Sequence, residues 1–133
     1  MDLKILEIAS NTENNKVIDN FTHRSKNKNP ICGDEMEISL VVKNDTVIDM
    51  GYQCKSCVYC QASVSLLSEK IINKNLNEIR KFITSCENIF ENTKIELEKN
   101  WKDFLKLFDK KNISRKECLL LPLRTVLKAL KIK

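Results

Sequence analysis

Three cysteines fall within seven residues, Cys54-Lys55-Ser56-Cys57-Val58-Tyr59-Cys60, and three more stand apart as Cys32, Cys86 and Cys118. Thiolate is a strong ligand for zinc and iron and the working form of sulfur in exchange chemistry. Cys32 lies in Asn29-Pro30-Ile31-Cys32-Gly33-Asp34, where Asp34 offers an oxygen donor close enough to share a metal. Gly33 lets the backbone bend tightly between those two donors. Cys57 and Cys118 each open an apolar-periodic segment, and a helix start favours thiolate through its positive dipole end and free N–H groups. Three thiolates and one carboxylate from three separate segments would make a four-ligand site of zinc or iron–sulfur type. The residues leave a second set open, a stable [4Fe–4S] electron carrier on Cys54, Cys57 and Cys60 plus a remote cysteine. The x2-x2 spacing permits it, but no Cys-Pro pair follows. A third reading is a structural zinc module that binds a protein or a nucleic acid, against which the carboxylate counts.

Other groups have simpler roles. Cys86 lies on the apolar stripe of a helix and is expected in the core. His23, the one histidine, is expected in a surface loop. Glu117 is expected to partner Ser114 in a capping box. Trp101 and Phe104 read as core. Arg115 is either solvated or an influence on the Cys118 thiol.

The chain has 133 residues, 42% hydrophobic and 31% charged, which suits one domain spanning 1–133 with a modest core. Asp2, Lys4 and Glu7 interrupt the first apolar stretch, so no secretory signal is expected. No apolar run approaches the roughly 18–20 residues that span a bilayer. A cytoplasmic location with reduced thiols follows, where clustered cysteines serve metals or catalysis more than disulfides. The net charge is +5, yet the lysines are scattered. The densest basic stretch, Arg24-Ser25-Lys26-Asn27-Lys28, lacks interleaved aromatics, so a solvated loop is expected and neither a nucleic acid nor a membrane as partner. Such a loop could steer an acidic protein partner.

The elements that must position these groups follow from periodicity. Asp2–Ala9 reads as a short helix and Val17–Phe21 as an edge strand, with a polar loop over Lys26–Asn29. Met36, Ile38, Leu40 and Val42 alternate as a strand, Asn44-Asp45 turns, and Thr46–Tyr52 returns as a second strand into the cysteine cluster. Helices are expected over Cys57–Ile72, Leu76–Phe90 and Lys94–Phe108, with Asp109–Ile113 as connector. A last helix is expected to begin near Cys118 with Pro122 in its first turn. The fold class is α+β: a small antiparallel sheet of about three strands packed against several helices.

The motifs resemble a known family. Asn29-Pro30-Ile31-Cys32-Gly33-Asp34 is similar to the NPxCGD signature of IscU/SufU/NifU-type iron–sulfur cluster assembly scaffolds. A hairpin, a cysteine at a helix start, Ala62-Ser63-Val64-Ser65 and a late cysteine complete the likeness. The AS-x-S pattern follows the second cysteine of the family by a few residues, which selects Cys57. Arg115-x-x-Cys118 with Leu120, Leu123 and Leu127 is similar to the third-cysteine helix. The likeness runs from about Asn29 to Leu130, and weakly to Asn11-Thr12-Glu13-Asn14, where relatives carry an NPRN element.

This resemblance implies a scaffold, or a sulfurtransferase-like sulfur acceptor, rather than a free-standing enzyme. It would receive persulfide sulfur from a PLP-dependent cysteine desulfurase (SufS/IscS/NifS-like) and pass sulfide or a nascent cluster to apo iron–sulfur proteins. The implied ligand set is Cys32, Asp34, Cys57 and Cys118, holding zinc or a labile [2Fe–2S] or [4Fe–4S] cluster. A carboxylate holds iron more weakly than thiolate does, which lets the cluster leave. The long stretch Ser68–Glu117, Glu117 where IscU has histidine, and the lack of an LPPVK-like motif resemble the SufU branch. That branch implies zinc, with Cys32 the candidate persulfide acceptor; the IscU branch implies Cys118. The chain departs from the family at Cys54 and Cys60, which stand where relatives carry glycine and a small residue. These two are possible additional metal ligands or persulfide acceptors, or small core substitutes.

Overall fold

The computed structural model describes residues 3–30, 33–91 and 97–131. Its sheet is an antiparallel meander in the order β1 (His23–Lys28), β2 (Glu35–Lys43), β3 (Thr46–Lys55). Asn44 and Asp45 both take positive φ, 52° and 60°. That is the two-residue turn whose twist matches the strands it joins, and Asn and Asp tolerate the left-handed region. Period-two burial sends Met36, Ile38 and Leu40 of β2 to one side of the sheet, where helices α2 (Val58–Lys70) and α4 (Lys116–Lys131) pack.

The edge strand is β1, not the Val17–Phe21 segment expected from sequence. Val17 is 66% exposed and Phe21 41%, with only Ile18 buried. His23–Lys28 carries no apolar alternation to announce a strand. It is held by pairing, Ser25 opposite Ile38 and Lys28 opposite Glu35. The buried Ser25 hydroxyl donates to the Thr125 carbonyl of α4 at 2.6 Å. The Asn14–Ile18 segment instead shields β3: the Tyr52 N–H donates to the Asn14 carbonyl at 3.1 Å. A Cβ on Gly51 would lie 2.6 Å from the Lys16 carbonyl oxygen and 2.9 Å from Ile18. Gly51→Ala is therefore expected to destabilise by about 1–3 kcal/mol through overpacking. Urea unfolding checks this, and an unchanged midpoint would show that the segment yields freely.

Helix α1 (Leu3–Ala9) packs on α2, the central helix, whose buried face includes Cys60, Ala62, Val64 and Leu67. Its serines make the joints. Ser63 donates to the Leu119 carbonyl of α4 at 2.6 Å, and Ser65 donates to the Asn11 carbonyl at 2.7 Å. Helix α3 (Leu76–Cys86) starts at an Asn75 cap whose side chain accepts the Asn77 N–H at 2.8 Å. It ends before the expected Phe90; Ile89–Glu91 forms a separate 3₁₀ turn.

The expected third helix differs as well. Its first residues, 94–96, lie outside the described residues, and Lys99–Lys106 is 3₁₀. Trp101, Phe104 and Leu107 recur every three residues and are all buried, which suits the three-residue turn. A further 3₁₀ turn, Lys110–Arg115, begins where the Asp109 side chain accepts the Lys111 N–H at 3.0 Å. It runs straight into α4, so the Ser114–Glu117 capping box does not form. Glu117 pairs with Arg124, which also holds Glu87 at 2.7 Å. Because α4 starts at Lys116, Pro122 lies in its second turn rather than its first.

Candidate metal and sulfur site

Four segments converge at the end of the sheet nearest the start of α2. The Asn29 N–H donates to the Asp34 carbonyl at 2.8 Å and the Gly33 N–H to the Asn29 carbonyl at 2.8 Å, closing the β1–β2 loop. Gly33 holds φ +78°, and no atom would meet a Cβ there, so its glycine serves the backbone angle and not space. Asp34 continues the alternation of Met36, Ile38 and Leu40, which turns its carboxylate toward the helices. It is 7% exposed, and its Oδ2 finds no hydrogen-bond partner among the described residues.

Cys57 caps α2 in an extended conformation without a side-chain cap bond. The Ser56 carbonyl before it accepts from Gln61 Nε2 at 3.0 Å. Cys118 sits in the first turn of α4, 5% exposed. Two contacts register α4 against α2: the Ser63–Leu119 bond, and the Arg115 guanidinium 5.2 Å above the Tyr59 ring. Arg115 is exposed, and its cation lies on an aromatic face. Pro122 has no N–H to give the Cys118 carbonyl, so the helix bond at that residue is withheld.

The result is a cluster. One carboxylate oxygen of Asp34 and the Sγ atoms of Cys57 and Cys118 all lie within 4.8 Å of one another. A tetrahedral zinc with Zn–S of about 2.3 Å needs donors about 3.8 Å apart, a distance that small side-chain rotations reach. Two sulfurs and an oxygen suit zinc or iron. A buried carboxylate oxygen without a partner is costly, and a cation beside it removes that cost. The donor set therefore fits a metal. Cys32, the fourth member of the expected set, lies outside the described residues.

Cys54 and Cys60 are not in that cluster, although both border it. Cys54 faces Met36 across the strands and is half-buried. Burial pushes its thiol up, the Ser56 hydroxyl offsets part of this, and the Asp34 carboxylate adds to it. Cys60 is fully buried in α2, and burial pushes its thiol far up, with the charges of Asp34, Cys54 and Cys57 adding. Cys86 is in the core as expected, its thiol pushed up to about 12 by burial. His23 stands at the start of β1 with Nδ1 2.8 Å from the Thr22 hydroxyl, away from the cluster.

Thiol reactivity follows from this burial. Near the ordinary thiol pKa of about 8.5, iodoacetamide should label Cys54 and Cys57 in the native chain and spare Cys60 and Cys86. Peptide mass spectrometry reads the pattern, and rapid native labelling of Cys86 would contradict its placement. Sequence reasoning missed Tyr59 and Ser56. The one signal was their position, two residues after Cys57 and one before it.

Comparison with known proteins agrees with this geometry. The family model described as NifU-like N terminal domain matches residues 2–101. The iron–sulfur cluster assembly scaffold protein IscU of Thermotoga maritima is 32% identical over 128 residues, 96% of this chain and 89% of that one. A putative iron–sulfur cluster assembly scaffold protein for the SUF system, from Fervidobacterium islandicum, superimposes with a TM-score of 0.88 at 26% identity, covering 98% of this chain and 96% of that one. A NifU-like N-terminal protein from Brucella abortus shares the fold, with a TM-score of 0.88 at 21% identity and coverage of 98% and 91%. Among the described residues no helix is long and apolar enough to cross a membrane. With the fold, the clustered donors and these relatives in agreement, the chain belongs to the NifU-like N-terminal domain family, the IscU/SufU-type scaffolds of iron–sulfur cluster assembly.

Proposed function

We propose that this chain accepts sulfur from a PLP-dependent cysteine desulfurase and holds zinc, or a labile [2Fe–2S] or [4Fe–4S] cluster, at Cys32, Asp34, Cys57 and Cys118. The observation that carries this reading is the cluster of Asp34, Cys57 and Cys118 donors, with one carboxylate oxygen that has no hydrogen-bond partner among the described residues. Zinc supplies a charge that holds the thiols as thiolates; an iron–sulfur cluster is cargo. The sulfur step is an exchange: a desulfurase Cys–S–SH gives its terminal sulfur to a thiolate of this chain and leaves as thiolate. No net oxidation occurs.

The 5% exposure of Cys118 weighs against it as the first acceptor, and the resemblance to the SufU branch points to Cys32 instead. The product then passes to apo iron–sulfur proteins, and the compartment is the reducing cytoplasm. Glu117, occupied by Arg124, supports the SufU-like branch and its zinc. The electron-carrier reading is not favoured: Cys54 and Cys60 stand outside the cluster, and Cys60 is sealed in the core.

The test is anaerobic purification, assay of zinc, iron and sulfide, then addition of a cysteine desulfurase with cysteine. Persulfide on Cys32 or Cys118, located by mass spectrometry, supports sulfur acceptance. Absence of persulfide from every thiol, with desulfurase turnover unchanged, would sink it.

A further inference from the structure

Cys54 stands outside the described cluster, yet the fold sets it beside the cluster's carboxylate. The β2–β3 register places Cys54 opposite Met36, and Asp34 precedes Met36 by two residues on the same side of the sheet. Diagonal neighbours on one face of an antiparallel pair lie roughly 7–8 Å apart, within side-chain reach. At this spot the buried Asp34 Oδ2 has no hydrogen-bond partner among the described residues, and the Asp34 carboxylate acts on the Cys54 thiol. Apolar packing would not leave a buried carboxylate oxygen in that state, so the surroundings that Cys54 shares with Asp34 suit a cation. Cys54 also keeps partial solvent access, unlike Cys60.

We propose that Cys54 is a reserve ligand: when Cys57 leaves the metal, the Cys54 thiolate takes its place beside Asp34 and Cys118. This deepens the metal-site reading above and rests on it. The exchange trades one thiolate for another. Cys54 gives its proton to solvent and Cys57 takes one up, with no change of oxidation state. A borderline divalent cation such as zinc then keeps its thiolate count while Cys57 and Cys54 exchange places.

Cobalt(II) is the probe, because thiolate-to-cobalt charge-transfer intensity counts the sulfurs bound. The full-length wild type, Cys54→Ser and Cys57→Ser should show equal intensity, and Cys54→Ser/Cys57→Ser should lose one sulfur's share. In zinc-loaded protein, iodoacetamide should label Cys54 in the wild type and spare it in Cys57→Ser. Cys57→Ala repeats both readouts should the serine variant misfold. Loss of one sulfur in Cys57→Ser alone, or in Cys54→Ser alone, overturns the reserve role while the metal site stands. A wild type that binds no cobalt overturns the metal-site reading itself.

Discussion

Replacing Cys118 with serine is expected to lower zinc affinity by more than the roughly 10–100-fold that follows loss of an outer partner, because a direct donor is removed. The sulfur sits within 4.8 Å of both other described donors. A serine hydroxyl stays protonated where thiolate would bind, so the metal keeps fewer anionic ligands. The first turn of α4 is registered on α2 by the Ser63 bond to the Leu119 carbonyl, with Arg115 on the Tyr59 ring just before it, so the Cys118 position is held whether or not metal is bound. Competition against a chromophoric chelator measures the effect, and unchanged affinity would remove Cys118 from the ligand set. Asp34→Ala should behave differently. Asp34 Oδ2 has no hydrogen-bond partner among the described residues, so its removal breaks no described hydrogen bond there and the apo fold is expected to keep its stability. A reconstituted iron–sulfur cluster should then outlast that of the wild type, since the weakest donor is gone. Faster loss would show that the carboxylate retains the cluster rather than releasing it.

The largest effect on the fold is expected from Trp101→Ala, at about 3–5 kcal/mol. Trp101 is 2% exposed and stacks on Phe82 with ring centroids 4.1 Å apart and planes 4° from parallel. Phe82 in turn meets Phe104 at 5.0 Å, and Phe104 meets Phe108 at 5.8 Å. This aromatic row fastens the 3₁₀ segments onto α3, and those segments lead into Cys118. Against a typical stability of about 5–15 kcal/mol, the loss leaves little margin. Chemical unfolding followed by circular dichroism measures it, since the variant has no tryptophan to report by fluorescence. A cost below about 1 kcal/mol would mean the row is not packed as described.

Much of the sheet was readable because it obeys simple rules. Met36, Ile38 and Leu40 alternate, and Asn44-Asp45 has the chemistry of a tight turn. The α2 serines were read as a motif, but their work as joints to Leu119 and Asn11 needs the third dimension. β1 escaped notice because His23–Lys28 is polar, and its strand state comes from pairing and from one buried hydroxyl. The 3₁₀ geometry of Lys99–Lys106 escaped for another reason: an apolar repeat of three and one of 3.6 differ little over two turns. At the site, residue types named the donors, and the structure brings Asp34, Cys57 and Cys118 together. The AS-x-S spacing already selects Cys57, and burial adds only that Cys60 is sealed in the core, since Cys54 and Cys57 are both half-buried.

The cluster draws its described donors from a strand entry, a helix cap and the first turn of the last helix. No short stretch of chain can reproduce it, so a bound metal is linked to the whole tertiary structure. A ligand that binds only the folded state at 100 times its Kd adds about 2.7 kcal/mol to stability. Loaded molecules therefore open less often than empty ones, and a protease that samples opened chains would clear the empty population first.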